Sequence, residues 1–288
     1  MKINIVTLDS GWILQKIAQR IKETNEDVFS LSFWKPRLDV DANYYIDVQN
    51  CYGGPTNTLD IGYFTHLDRD STQSLEPHWL SLDYIVHHCT RYYDIFSQFY
   101  DKERMSVLLP GEIHEEFTLH KPVLGIFQRG QHEGKGYHFM QDLIKNYSEV
   151  LRQFKFVFVG TGWDEVLRLC KENDIKTFDY GDSDYSIYPK LYKNIDYVLI
   201  PSLWEGGPMS VIEGWATGKP IIGAKVGFLD KDFKADYSFE PNDKEGLINI
   251  LNEIIQPLKS RREKVSHMSY QKYGEELIKI VKNLNKEV

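Results

Sequence analysis

Short apolar runs recur along the first part of the chain, at residues 3–7, 28–33, 44–48, 61–65, 84–88 and 106–109, each closed by Asp, Asn, Gly or Pro. Runs of this length without strict polar alternation predict strands of a parallel sheet covered on both faces. An amphipathic stretch at 12–22 and a second at 92–99 predict helices, and helix is otherwise sparse there. From residue 123 the rhythm tightens. Strands are predicted at 123–127, 154–159, 176–179, 197–200 and 221–223. Helices are predicted from Gly136 to about Asn146 and at 164–172, 187–193, 208–218, 244–255 and 270–286. Regular βα alternation is the pattern of a Rossmann-like domain, and the polar stretch 110–122 is the expected linker. No internal repeat or low-complexity tract interrupts it.

Composition narrows the class without naming a chemistry. With 288 residues, 42% apolar and 26% charged, the chain fits one large or two modest soluble domains. Cys51, Cys89 and Cys170 lie far apart and show no metal-ligand spacing, so no zinc or disulfide framework is expected. No apolar run reaches the roughly eighteen residues of a membrane span, and no long apolar segment follows the N-terminus. A net charge of −8 argues against a broad nucleic-acid surface, yet leaves room for a local basic groove.

The richest stretch is residues 197–223, in which Pro201-Ser202-Leu203-Trp204-Glu205-Gly206-Gly207-Pro208-Met209-Ser210 follows a buried strand. Gly206 and Gly207 are expected to let the backbone bend and approach a ligand, with Pro208 as the first residue of a helix that ends near Gly218. Its free amides, from Gly207 to Ser210, form a positive pole suited to phosphate or sugar oxygens. Glu205 and Glu213 flank that pole, and a carboxylate accepts two hydrogen bonds from a vicinal diol. Elsewhere, Gly11 follows the first strand and reads equally as a plain turn glycine or as a donor-phosphate contact. The full G-x-G-x-x-G fingerprint is absent.

Glu205-x7-Glu213 in this setting resembles the donor-sugar motif of retaining GT-B glycosyltransferases of the family 4 type. The resemblance is close over about 122–260 and only topological over 1–118. It implies an α/β GT-B fold, with two Rossmann-like domains facing across a cleft and a reduced N-terminal one. The expected divisions are an acceptor-side domain at 1–118, a nucleotide-sugar domain at 119–268, and a C-terminal helix at 269–288 that crosses back to the first domain. Arg129 and Lys135 resemble the family's diphosphate-binding pair, and His66 its strand-end histidine beside the donor sugar. Glu205 would orient the sugar hydroxyls and Glu213 would hold the ribose. Gly160 and Tyr180 would line the nucleotide side with Gly206, Gly207, Pro208, Met209 and Ser210. Residues 224–230 depart from the family's usual paired glycines.

Asp68-Arg69-Asp70 and Asp182-Ser183-Asp184 look like the metal motif of the other main glycosyltransferase fold. The GT-B type meets the diphosphate with basic side chains and helix ends instead, so the expectation is no metal and no cofactor beyond the nucleotide-sugar co-substrate. The acceptor is expected to be a glycan or glycolipid. A hydroxymethylated pyrimidine in DNA, as for some phage enzymes, is the alternative, for which Phe33-Trp34-Lys35-Pro36-Arg37 offers an aromatic and basic loop. A nucleotide-sugar epimerase of the same fold and a silent binding module are the rivals from other classes. The expected setting is the cytoplasm, peripheral to a membrane.

Overall fold

The computed structural model describes residues 1–65, 77–111 and 117–287. His66 and Asp68-Arg69-Asp70 lie outside the described residues. The chain divides into two compact units, Met1–Thr118 with Glu263–Val288, and Leu119–Arg262.

In the first unit the strands β1 (Ile3–Thr7), β2 (Phe29–Phe33), β3 (Ala42–Tyr45), β4 (Leu59–Phe64), β5 (Tyr84–His87) and β6 (Met105–Val107) form one parallel sheet in the order β2-β1-β3-β4-β5-β6. The helices between them are α1 (Ile13–Thr24), the short α2 (Val48–Cys51) and α3 (Thr90–Phe96). The sheet is thus six-stranded, and among the described residues the economy of this domain lies in its helices. β3 begins upstream of the expected 44–48 because its buried Asn43 gives no apolar signal. Asn43 belongs to a polar ladder across three strands. The Asn4 amide donates to Ser32 Oγ at 2.9 Å and Asn43 Oδ1 at 3.0 Å, and Asn43 Nδ2 donates to Thr58 Oγ1 at 2.8 Å. Both buried asparagines of the ladder therefore have partners, and slipping the register by one residue would strand them.

The second unit runs β7 (Val123–Phe127), α4 (Tyr137–Leu151), β8 (Lys155–Val159), α5 (Asp164–Glu172), β9 (Lys176–Asp179), α6 (Tyr188–Lys193), β10 (Tyr197–Ile200), α7 (Met209–Ala216), β11 (Ile221–Ala224), α8 (Phe228–Lys231), β12 (Tyr237–Phe239) and α9 (Lys244–Glu263). Its parallel sheet has the order β12-β11-β10-β7-β8-β9. Two elements were not expected, α8 and β12, both too short to show a period. α9 runs past the expected stop near residue 255 because Pro257 removes one backbone donor while Ile254, Ile255 and Leu258 stay packed on the core.

The last helix, α10 (Tyr270–Glu287), packs in the first unit. Tyr273, Leu277 and Val281 join Ile17, Ala18 and Ile21 of α1 in its core. A Cβ at Gly274 would stand 2.7 Å from Thr24 Oγ1, so glycine sets how closely the two helices approach. The buried Tyr273 hydroxyl bonds Tyr44 of β3. The α/β class and the two Rossmann-like domains expected of a GT-B chain are both present.

His87 ends β5 fully buried, and among the described residues neither ring nitrogen has a hydrogen-bond partner. It lies among Phe64, Phe96 and Tyr93, with the Phe96 ring centroid 4.8 Å away. Burial pushes its pKa down from 6.5 to about 4. The unfolded chain therefore takes up this proton at higher pH than the folded one. The stability from neutral His87 is complete above pH 6.5 and is lost as the pH falls towards 4. Urea unfolding of the wild type and of His87→Leu at pH 7 and 4.5 should show the wild type losing about 2 kcal/mol more than the variant. Equal losses would contradict this account.

Candidate active site of the second unit

The strand order turns at β7 and β10, neighbours from which the chain winds outward in opposite directions. Loops leaving the carboxyl ends of two such strands separate and leave a crevice, the usual ligand site of an open α/β sheet. The loop after β7 carries Gln128, Arg129, His132 and Lys135; the loop after β10 carries Ser202 to Pro208. A pocket of about 490 Å³ lies between them, lined by Gln128, Arg129, His132 and Lys135 of the first loop, by Glu205, Gly207 and Pro208 of the second, by Met209, Ser210 and Glu213 of α7, and by Phe127, Tyr185 and Tyr188. The loops are tied together by backbone, for the Leu203 amide donates to the Gly134 carbonyl at 2.7 Å. Gly136 adopts φ +78, and a Cβ there would meet the Pro201 carbonyl oxygen at 2.1 Å. Only glycine closes this junction.

α7 starts at Met209, one residue later than expected. Pro208 is extended (φ −69, ψ 113) and serves as the N-cap. Val211 N–H already donates to the Pro208 carbonyl at 3.0 Å, so the amides of Met209 and Ser210 are those that helix geometry leaves to face the pocket. The helix ends in a Schellman motif, with Lys219 N–H on the Gly214 carbonyl at 2.8 Å, Gly218 N–H on that of Trp215 at 2.9 Å, and Gly218 at φ +72. Gly206 and Gly207 do not take positive φ. Gly207 is required by packing instead, because a Cβ there would lie 2.5 Å from the Phe228 ring. The Phe228 amide also donates to the Gly206 carbonyl at 3.2 Å. The segment 224–230, which departs from the expected glycine pair, thus braces the loop that carries Glu205.

Both carboxylates are held by other side chains. Glu205 is only 10% exposed and pairs through Oε1 with the Lys135 ammonium. The buried Ser202 hydroxyl lies 3.2 Å from the same oxygen and 3.1 Å from Gln128 Oε1, with one proton to give to either. Gln128 Nε2 donates to the Lys135 carbonyl at 2.7 Å, which fixes the lysine's own backbone. Glu213 accepts from Tyr185 on Oε1 at 2.5 Å and from Tyr192 on Oε2 at 2.7 Å. Burial, and then the bond to Glu213, push the Tyr192 phenol far above its ordinary pKa; the Glu213 bond raises that of Tyr185. Both hydroxyls therefore remain donors at any ordinary pH. Among the described residues the Arg129 guanidinium, which is exposed, has no ion-pair partner.

The pocket brings together Arg129, Lys135, Glu205, Gly207, Pro208, Met209, Ser210 and Glu213. Gly206 lies in the same loop but not in the lining. Gly160 and Tyr180 lie outside it, with their amides committed to the Gly181 carbonyl at 2.7 Å and the Phe158 carbonyl at 2.9 Å. Gly11 sits in the loop after β1 of the first unit at φ +68, and its amide donates to the Gln15 side chain. Asp184 caps the turn at Ser186, whose hydrogen bonds hold its carboxyl below the usual range. Among the described residues no cluster of three or more His, Cys, Asp or Glu could hold a metal ion. Tyr185, Tyr188 and Tyr192 were missed, although their i, i+3, i+7 spacing puts them on one helical face. Gln128 carries no sequence signal.

Residues 121–257, just under half of the chain and most of the second unit, match the family model described as "Glycosyl transferases group 1". This segment is similar to the group 1 glycosyl transferases. Among solved structures, Anabaena Alr3699/HepE in complex with UDP-glucose is 13% identical, covering 100% of this chain and 99% of that one at a TM-score of 0.41. The lipopolysaccharide outer core galactosyltransferase WaaB is 13% identical over 94% of this chain and 97% of that one, at 0.40. A glycosyltransferase from Rickettsia africae ESF-5 is 14% identical over 100% and 99%, also at 0.40. No curated protein sequence matches the chain.

Two bases, two acids and a helix N-terminus in one crevice suit a ligand that carries both an anion and neighbouring hydroxyls. The Lys135–Glu205 pair is also structural, because removing the lysine leaves a nearly buried carboxylate whose remaining partner among the described residues is Ser202. Lys135→Met should cost about 1–3 kcal/mol in urea unfolding, and adding Glu205→Gln to it should recover part of that loss. Additive losses in the double variant would show that the pair is uncoupled.

Proposed function

We propose that the protein is a retaining glycosyltransferase that moves a sugar from a nucleotide-sugar donor to an acceptor hydroxyl. The observation that carries this reading is the convergence of Arg129, Lys135, Glu205, Glu213 and the first turn of α7 on one pocket at the strand switch point. Arg129 and Lys135, with the Met209 and Ser210 amides, would stabilise the diphosphate as it departs, preorganised charge facing charge that develops. Glu205 would accept hydrogen bonds from the donor sugar and Glu213 from the ribose. The retaining course is supported by the Glu205-x7-Glu213 motif. Metal independence is supported by the two bases and the helix terminus that meet in the same crevice.

The acceptor is best read as a glycan or glycolipid. A crevice of about 250 Å³ lies in the first unit, lined by Trp12, Ile46, Asp47, Gln49, Asn50 and Thr65 among others. Among the described residues its single charged side chain is Asp47, which suits hydroxyl groups and repels a phosphate backbone. Arg37, one of the two bases in the aromatic loop, forks onto Asp39, with Nη2 to Oδ2 at 2.6 Å. Among the described residues no helix is long and apolar enough to cross a membrane. A cytoplasmic enzyme with peripheral access to membrane glycolipid acceptors fits this reading.

A panel of nucleotide sugars, scored for binding and for slow hydrolysis without acceptor, tests the donor reading. One or a few donors should bind, hydrolysis should survive EDTA, and the released sugar should first appear with the donor's anomeric configuration by NMR. Glu205→Gln and Glu213→Gln should each lower donor kcat/KM by about tenfold or more in protein that remains folded at the assay temperature. Failure of every donor to bind would overturn the assignment. Conversion of a donor to its epimer without acceptor would replace it with the epimerase reading. In fluorescence anisotropy, duplex DNA with hydroxymethylated pyrimidines should show no tight, steeply salt-dependent binding.

A further inference from the structure

Glu213 has both carboxylate oxygens bonded to phenols, and the two phenols differ in freedom. Tyr192 is 1% exposed, and its ring stacks on Phe127 with centroids 4.1 Å apart and planes 9° apart, so its hydroxyl is held on Oε2. Tyr185 is 65% exposed, begins the single-turn segment Tyr185–Ile187, and its ring contacts Tyr188 at a centroid distance of 4.9 Å. Its hydroxyl on Oε1 is therefore the displaceable member of the pair.

A vicinal diol binds a carboxylate best through one hydroxyl on each oxygen, which gives two charge-assisted bonds in a fixed geometry. While Tyr185 sits on Oε1 that two-point contact is obstructed. We propose that Tyr185 is a positioning residue at the ribose subsite, whose hydroxyl yields Glu213 Oε1 to the cis-diol of a bound nucleotide while Tyr192 keeps the carboxylate aimed. This rests on the reading of the pocket as a nucleotide-sugar site. It also gives the site a selectivity. A ribonucleotide replaces the bond that it breaks, whereas a nucleotide without ribose hydroxyls breaks the bond and leaves Oε1 unpaired, or must bind without engaging Glu213.

The test measures dissociation constants of UDP, GDP and ADP by calorimetry for the wild type, Tyr185→Phe and Tyr192→Phe. It then compares the tightest of the three with its 2′,3′-dideoxy form. Tyr185→Phe keeps the ring and removes only the competing hydroxyl, so the ribonucleotide should bind about three- to tenfold more tightly. The gain should be absent for the dideoxy form. Tyr192→Phe should weaken the ribonucleotide, because Glu213 then loses its fixed donor. Unchanged or weaker ribonucleotide binding by Tyr185→Phe, or an equal gain for the dideoxy form, would overturn the proposal while wild-type binding keeps the donor reading standing. If the wild type binds none of the three, both fall together.

Discussion

The pairing of β7 with β10 is the constraint on which the rest of the site depends. Tyr197 and Val198 lie against Leu124 and Gly125, although nearly seventy residues, carrying β8, β9 and three helices, separate the two strands in the chain. Because β7 is wound outward on one side and β10 on the other, the loops at their carboxyl ends cannot close over each other. What they leave open is the pocket. Gly125 is part of the reason that the strands fit, since a Cβ there would stand 2.7 Å from the Ile195 side chain that leads into β10.

Around that opening the electrostatics are prepared in advance. Lys135 is neutralised by Glu205, whereas Arg129 is exposed and has no ion-pair partner among the described residues, so the two bases are not equivalent. Exchange of an anion onto Lys135 must compete with a carboxylate that Ser202 also faces. Arg129 carries no such cost. The two acids differ in the same way. Glu205 answers to a cation and Glu213 to two neutral hydroxyls, which suits the first to charge-balanced positioning and the second to exchange of one hydroxyl for another.

The first unit shows the opposite use of polar groups. Its sheet is pinned by the Asn4 and Asn43 ladder, and α10 is held by a tyrosine contact under the sheet, Tyr273 with Tyr44. The neighbouring Tyr63 bonds His88 Nδ1. These groups are fully or largely enclosed, so their bonds specify register and docking more than they respond to a ligand. His87 differs, a buried imidazole among aromatic rings without a hydrogen-bond partner among the described residues.

The sequence by itself determined the alternation of strands and helices, the two Rossmann-like domains, and the loops that carry Arg129, Lys135, Glu205 and Glu213. Each of these follows from local patterns, such as an apolar run closed by Pro201, a glycine at the left-handed end of α7, or acids at either side of a helix start. Only the tertiary structure decided what those groups touch. Gly207 reads as a flexible bend and proves to be a seat for the Phe228 ring. Pro208 reads as the first helical residue and stands one position before it. Glu213 reads as a carboxylate for a ligand diol and already carries Tyr185 and Tyr192, which come from a segment over twenty residues upstream. The physical reason is the same in each case. Backbone conformation is governed by near neighbours in sequence, whereas the partner of a side chain is set by which strands lie side by side, and that is an outcome of burying the whole core at once.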